Sequence, residues 1–145
     1  MKRSLHRMLI RLTLPLAFAV GLVAQTTVQT APIAKTHWKL ISVGDTKIPA
    51  TTVREPFLEL DPATHRMSGT GGCNQFTGSY ELEGDHLRFS QTAATRMACA
   101  GGMDTDDALL KALDNTREWK VSGHRLSLLD ADGRVVARFT AAPPQ

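Results

Sequence analysis

Two cysteines and a glycine-rich run are the residues of this 145-residue sequence whose types and spacing could do chemistry. Cys73 directly follows Gly69-Thr70-Gly71-Gly72, and Cys99 comes later in the same part of the chain. A nucleophilic cysteine needs a histidine base close to it in space, and the sequence alone does not show such a neighbour. The glycine run lacks the lysine and the following helix of a phosphate-binding loop. We therefore predict no catalytic residue and no enzyme activity.

The histidines and the acidic cluster do not have the spacing of metal ligands. Zinc sites need a cluster of ligands, whereas each histidine beyond the N-terminal segment falls alone at a predicted strand end or turn: His37, His65, His86 and His124. The sequence around Asp104, Asp106 and Asp107 lacks the twelve-residue loop and closing glutamate of a calcium site. Helix capping explains these aspartates better. We predict neither a metal nor a cofactor.

The first 24 residues have the pattern of an export signal. They contain four basic residues and no acidic one, followed by an apolar run from Leu12 to Ala24. That run is shorter than the roughly 20 residues that span a bilayer. We expect cleavage after Ala24 and a periplasmic or secreted protein; an uncleaved anchor is the alternative. No cysteine lies near the cleavage site, so we do not expect a lipoprotein.

The positive net charge of the chain belongs to this N-terminal segment. The whole sequence has 17 Lys and Arg against 14 Asp and Glu, with a pI of about 9.1. Without residues 1–24, 13 basic and 14 acidic residues remain, a net charge of −1. The remaining charge gives no reason to expect a nucleic-acid partner or a membrane-surface partner. We also expect no stable membrane insertion after cleavage.

The even number of cysteines in an exported chain favours one disulfide bond, between Cys73 and Cys99. Closing a loop of this length would stabilise the fold by roughly 3–4 kcal/mol. Two buried free thiols are the alternative, since free cysteine is often buried.

The hydrophobic pattern predicts an α+β, mainly β domain. We divide the chain into the signal peptide (1–24), a flexible leader (25–36), one domain (37–140) and a tail (141–145). Apolar and polar residues alternate in short runs separated by turn residues, as in antiparallel hairpins. One helix is predicted near 104–115, where Leu109, Leu110 and Leu113 form an apolar stripe. We expect an antiparallel curled sheet or a partly open barrel of about 7–8 strands.

Three further features near the cysteines are expected to have structural roles. Asn74 shares strand parity with Phe76 and should point inward, where its amide would bond irregular backbone; ligand recognition is the alternative. The paired glycines 71 and 72 suggest a bulge or a close backbone approach. Arg96 has the opposite parity to Met97, so we expect it to pair with a surface carboxylate, with an anionic ligand as the alternative.

These residues together resemble the META domain family, which includes the HslJ-like heat-inducible envelope proteins. The resemblance covers Thr36 to Thr140. It rests on an early Trp-x-Leu, on Ser68 to Phe76, and on Thr95 to Cys99. The motif positions are Trp38, Gly72, Cys73, Asn74, Thr95, Arg96, Met97 and Cys99. This chain departs from the family by having Asp106 and Asp107 where a glutamate is common at the helix start.

The resemblance implies a compact antiparallel β structure with a helix and no catalytic residue set. Members of the family are linked with envelope stress, drug tolerance, motility or secretion. We therefore predict an exported, non-catalytic, monomeric envelope protein that binds another envelope protein. The alternative is a carrier of a small apolar or lipid ligand, in a cavity lined by the aromatic residues Trp38, Phe57, Phe76, Phe89, Trp119 and Phe139.

Overall fold

The computed structural model describes residues 29–50 and 52–142. The predicted signal peptide, its cleavage site and the last residues of the predicted tail lie outside the described residues. In the part of the chain that is described, no helix is both long enough and apolar enough to cross a membrane.

Within the described residues, nine strands form one antiparallel sheet in the order β2-β1-β3-β4-β5-β6-β7-β8-β9, and β9 also pairs with β1. The pairing is therefore ring-like. The strands are β1 (Trp38–Val43), β2 (Thr46–Lys47), β3 (Phe57–Asp61), β4 (Arg66–Thr70), β5 (Gln75–Glu83), β6 (His86–Ala94), β7 (Glu118–Ser122), β8 (Arg125–Leu129) and β9 (Val135–Ala141).

The mainly β, antiparallel prediction is confirmed. The sheet has more than the predicted 7–8 strands because β2 has only two residues, both exposed, and so shows no apolar alternation. Of the remaining eight strands, all but β7 have buried residues that face the core. In β1, for example, Trp38, Leu40 and Ser42 are buried while the residues between them are exposed. This period of two follows from side chains that alternate between the faces of a strand.

The core fills the interior of the ring. Four of the six aromatic residues considered as a cavity lining belong to one buried cluster: Trp38, Phe76, Phe89 and Phe139. Phe57 is only half buried and stacks on His37, with 4.5 Å between the ring centroids. Trp119 packs at the edge of the cluster, and its indole N–H donates to the Gly84 carbonyl oxygen at 2.9 Å. Burial of large aromatic side chains in one cluster is typical of a packed core.

The ring is weakest between β6 and β7. These strands share one pair of opposed residues, His86 and Glu118, whereas β5 and β6 are paired along most of their length. The helix α1 (Met103–Asn115) connects them and buries Leu109 and Leu113 in the core. It begins one residue before the predicted start. Gly102 precedes it with a φ of 95°, a left-handed conformation that glycine adopts without strain.

Residues 31–36, predicted as part of a flexible leader, pack against the ring instead. We call residues 29–36 the N-terminal strap. Ile33 is 6% exposed and belongs to the core cluster, and its carbonyl oxygen accepts the Trp38 indole N–H at 2.7 Å. The Lys35 N–H donates to the Leu60 carbonyl oxygen at 3.0 Å. The mostly polar composition of this segment gave no sign that Ile33 is buried. Packing against the core therefore begins before residue 37.

Candidate functional site

The two motif segments meet at the start of α1. The first is the connection from β4 to β5, residues 71–74, and the second is the segment after β6, residues 95–99. The predicted disulfide joins them: the Cys73 and Cys99 sulfurs are bonded, with 5.9 Å between the Cα atoms. Neither cysteine is a free thiol. The sulfur atoms therefore offer no nucleophile for thiol chemistry.

Asn74 connects the same two segments through its side chain. It is 9% exposed. Its amide oxygen accepts the Met97 N–H at 2.7 Å and the Thr95 hydroxyl at 2.9 Å. Its amide nitrogen donates to the Met97 carbonyl oxygen at 3.3 Å. Asn74 thus bonds irregular backbone from inside the fold, which is how a buried amide avoids the cost of an unpaired polar group.

Asp106 holds the first segment from the side of the helix. This carboxylate is 3% exposed and lies in the first turn of α1. One oxygen accepts the Cys73 N–H at 3.3 Å, and the other accepts the Asn74 N–H at 2.7 Å and the Asn74 amide nitrogen at 3.1 Å. The positive end of the helix dipole also favours a carboxylate at this position. We refer to Cys73, Asn74, Thr95, Met97, Cys99 and Asp106 as the Asn74 cluster.

The glycines of the first segment allow its close approach to α1. A Cβ atom on Gly71 would lie 2.5 Å from the Asp106 Cα atom, and one on Gly102 would lie 2.7 Å from the Gly72 carbonyl carbon. Of the two alternatives that the glycine pair left open, the structure has the close backbone approach. No bulge occurs there, because β4 and β5 stay in register up to the pair Thr70 and Gln75.

The buried polar side chains of the Asn74 cluster, Asn74 and Asp106, are hydrogen-bonded to described residues. Across residues 29–50 and 52–142, every buried side-chain nitrogen or oxygen has a hydrogen-bond partner. In the same residues, no three His, Cys, Asp or Glu side chains come together as a possible metal site. The geometry of the cluster therefore supports a structural joint between three segments, as a fully satisfied buried network does.

A second feature, the outer half of β6, is open to solvent. A bulge places Gln91 and Thr92 opposite Gly78, and Gln91 has a φ of 51°. Bulges bend a strand and increase its twist. All residues from 90 to 98 are exposed. Beyond the bulge, β6 is paired with β5 on one side, and no strand of the described residues pairs with it on the other.

The backbone of this half-strand presents free hydrogen-bonding groups. The Thr95 N–H donates to the Gln75 carbonyl oxygen of β5 at 2.9 Å. Because backbone groups alternate between the two sides of a strand, those of Thr92 and Ala94 point away from β5. We refer to this side of residues 91–96 as the β6 edge. An unpaired strand edge is a template for a further strand.

Comparison with known proteins identifies the family. A model of the META domain matches residues 31–143, most of the chain. The chain belongs to the META domain family. Its matched region begins inside the N-terminal strap, in agreement with the packing of Ile33. Comparison with curated proteins finds no matching sequence.

Two solved structures illustrate the similarity of the fold. An NMR structure of a protein from Burkholderia xenovorans is 26% identical, with a TM-score of 0.63 over 77% of this chain and 85% of that one. A crystal structure of a DUF4847 family protein from Bacteroides vulgatus is 11% identical, with a TM-score of 0.54 over 78% of this chain and 96% of that one. The second likeness concerns the fold alone.

The motif residues of this META domain are brought together only in part. Gly72, Cys73, Asn74, Thr95, Met97 and Cys99 meet at the start of α1. Trp38 lies in β1, fully buried in the core. Arg96 is exposed, and within the described residues it forms no ion pair, so the expected surface carboxylate is not found there.

Asp106 is the member of the Asn74 cluster whose burial was not predicted from the sequence. From the sequence, Asp106 was expected only as a charge in the first turn of the helix, without the hydrogen bonds that it accepts from residues 73 and 74. Asp106 lies three residues before Leu109 and seven before Leu113, so all three share one helix face. This position on the apolar stripe is the signal that could have shown its burial.

Proposed function

We propose that this protein is an exported, non-catalytic META domain protein that binds another envelope protein by strand addition along the β6 edge. The observation that supports this most directly is the single residue pair between β6 and β7, which leaves the outer half of β6 exposed. Strand addition uses such an edge, since backbone hydrogen bonds hold the added segment. The family resemblance implies a role in envelope stress.

The charge near the β6 edge indicates the chemistry of the partner segment. No acidic residue occurs between Asp85 and Asp104, while this stretch contains Arg88 and Arg96. Arg88 lies opposite Glu81 of β5, so Arg96 is the cation without an acidic neighbour in the strand pairing. A partner segment that is extended and acidic would complement this charge.

Core packing supports protein binding over the carrier alternative. A carrier needs an apolar cavity, but Trp38, Phe76 and Phe139 are at most 1% exposed and contact one another through a single cluster. Side chains that fill the interior in this way leave it as ordinary core. The β6 edge, by contrast, is exposed and has no partner strand among the described residues.

Replacement of Ala94 by proline tests the proposal. Proline removes the outward N–H and cannot support a strand added on that side. A second variant, Arg96→Glu, reverses the charge and keeps the backbone. Ala131→Pro is the matched control, because Ala131 is an exposed turn residue after Asp130, a position that suits proline.

Chemical cross-linking in periplasmic extract, followed by mass spectrometry, provides the measurement. We expect a protein cross-linked to the wild-type chain and to Ala131→Pro to be lost from Ala94→Pro and from Arg96→Glu. Circular dichroism establishes whether each variant is folded, and Arg96→Glu keeps the test valid if Ala94→Pro is not. An unchanged set of cross-linked proteins in both edge variants would refute binding at the β6 edge.

A further inference from the structure

A groove of about 1300 Å³ lies on the outer face of β3, β4 and β5, on the side of the molecule closed by the N-terminal strap. Lys35 and Thr36 of the strap, and the neighbouring His37, line one wall. The strap is held in place by the Lys35 N–H on Leu60 and the Ala31 N–H on the Gly123 carbonyl oxygen, at 3.0 and 2.9 Å. The wall is therefore attached to the ring at two points.

The strand register arranges the floor of the groove in two rows. Glu59, Ser68 and Thr77 lie directly opposite one another across the three strands. Asp61 and Arg66 form the next pair, two residues further along β3 and two residues back along β4. Residues two apart on a strand share a face, so all five polar side chains point outward into the groove. Each row thus presents hydrogen-bonding groups at the spacing of the strands.

Several of these groups have unused hydrogen-bonding capacity. One Glu59 oxygen contacts His37 Nδ1 at 2.6 Å, and in the described residues the other has no protein partner. The Arg66 guanidinium makes one long hydrogen bond, to the Thr77 hydroxyl at 3.4 Å. Neither Lys35 nor Arg66 forms an ion pair with a described residue. The groove therefore offers both donors and acceptors.

Asp61 contributes fixed negative charge rather than a free acceptor. Hydrogen bonds from the Thr64 hydroxyl and the Ala63 N–H, at 2.7 and 2.9 Å, hold the pKa of Asp61 below its ordinary value, and the charge of Lys35 adds to this effect. Two cations, Lys35 and Arg66, balance two carboxylates, Glu59 and Asp61, among the residues that line the groove.

We propose that this groove binds an uncharged oligosaccharide. Sugar hydroxyls both donate and accept, which matches a surface of mixed carboxylate, guanidinium, ammonium and hydroxyl groups without net charge. A peptide would need apolar pockets for anchoring side chains. The apolar side chains that line the floor, Leu60 and Met67, are only 1% exposed and therefore form no pocket for an anchoring side chain. The two cations are balanced by two carboxylates, so the groove has no excess positive charge that would favour a polyanion.

Titration of the ¹⁵N-labelled protein with maltotriose and with chitotriose, the trimer of N-acetylglucosamine, tests the assignment by NMR. We expect at least one of these trisaccharides to shift the amide signals of Lys35, Arg66 and Ser68 in a saturable way at millimolar concentration. The proposal is wrong if neither sugar shifts these signals, or if the shifted residues lie outside the groove.

Two groove variants and one control define the contribution of the floor. Arg66→Gln and Glu59→Gln should each weaken binding by about tenfold, the loss expected for a hydrogen bond to a charged group. Arg138→Gln, the same substitution on an exposed residue of β9 outside the groove, should leave the affinity unchanged. Equal affinity in all four proteins would remove the groove as the binding site.

Two further ligands distinguish the chemical class. Trigalacturonate represents an acidic saccharide and trialanine a peptide, and tighter binding of either would overturn the assignment to uncharged sugars. The groove and the β6 edge are separate surfaces, so Ala94→Pro should retain sugar binding. Failure of protein binding at the edge and failure of sugar binding in the groove are therefore observed independently.

Discussion

Asp106 is stabilised by N–H groups instead of a cation. Its carboxylate is 3% exposed and accepts three hydrogen bonds, from the backbone of Cys73 and from the backbone and side chain of Asn74. A buried carboxylate is costly unless hydrogen bonds replace its hydration. Because these hydrogen bonds run from residues 73 and 74 to the first turn of α1, the conformation of residues 71–74 depends on the position of the helix.

Replacing Asp106 by asparagine should lower the free energy of unfolding by about 2–3 kcal/mol. The new amide has one oxygen and one NH₂ group, and the NH₂ group would face a backbone N–H that needs an acceptor. Urea unfolding followed by tryptophan fluorescence measures the change.

Asp107→Asn is the matched control for this substitution. Asp107 is the next residue in the same helix turn and is exposed, so the change in stability should stay within about 0.5 kcal/mol. If the two variants lost equal stability, the hydrogen bonds of Asp106 would not be the cause.

At the scale of the elements, the disulfide joins the two connections that flank β5 and β6. One connection follows β4 and the other precedes α1, and Asn74 bonds across them beside the sulfur atoms. The weak pairing of β6 with β7 leaves this end of the ring without a continuous ladder. The disulfide and the Asn74 cluster join the β4–β5 connection, the segment after β6 and α1, and none of these three is held to the others by strand pairing.

Removing the disulfide with Cys73→Ala and Cys99→Ala together should lower the free energy of unfolding by about 3–4 kcal/mol. The closed loop spans 26 positions, and the bond mainly restricts the unfolded chain. Reduction of the wild-type protein should produce the same shift of the urea midpoint.

The reductant should have no effect on the double variant, which contains no cysteine. A wild-type protein that unfolds at the same urea concentration with and without reductant would contradict a stabilising role for this bond.

For the whole molecule, the N-terminal strap completes the core. Ile33 fills the end of the ring beside Trp38, and its carbonyl oxygen accepts the buried indole N–H of that residue. Loss of the strap would expose apolar surface and leave this N–H without a partner inside the fold. The strap also forms one wall of the groove. Residues of this one segment therefore contribute both to the stability of the fold and to the shape of the groove.

Ile33→Ala should lower the free energy of unfolding by about 2–5 kcal/mol, because a buried isoleucine side chain is truncated in a packed core. Thermal and urea unfolding both measure the effect. Val53→Ala serves as the control, since Val53 is 61% exposed and its truncation should cost less than about 0.5 kcal/mol.

An unchanged stability of Ile33→Ala would mean that the strap does not pack on the core in solution. In that case the predicted flexible leader over 25–36 would describe the segment better than the packed strap does.

Much of the fold followed from local pattern. The alternation in β5 and in β8 is visible residue by residue, and the stripe of Leu109, Leu110 and Leu113 indicated the helix to within one residue. The strap and β2 were missed because one buried isoleucine and two exposed residues carry no periodic signal. Asp106 was predicted in the first turn of the helix, where it lies, but its burial was not predicted because it follows from contacts with residues 73 and 74.

The sequence by itself determined the family, the antiparallel β class and the pair of cysteines that bond, because these depend on motifs, on a period of two residues and on the presence of only two cysteines. Only the tertiary structure decided where the ring is open, which residues satisfy Asn74 and how the strap and three strands enclose a groove. These features depend on contacts between segments far apart in the chain, such as Asn74 with Asp106, and local patterns carry no information about such distances.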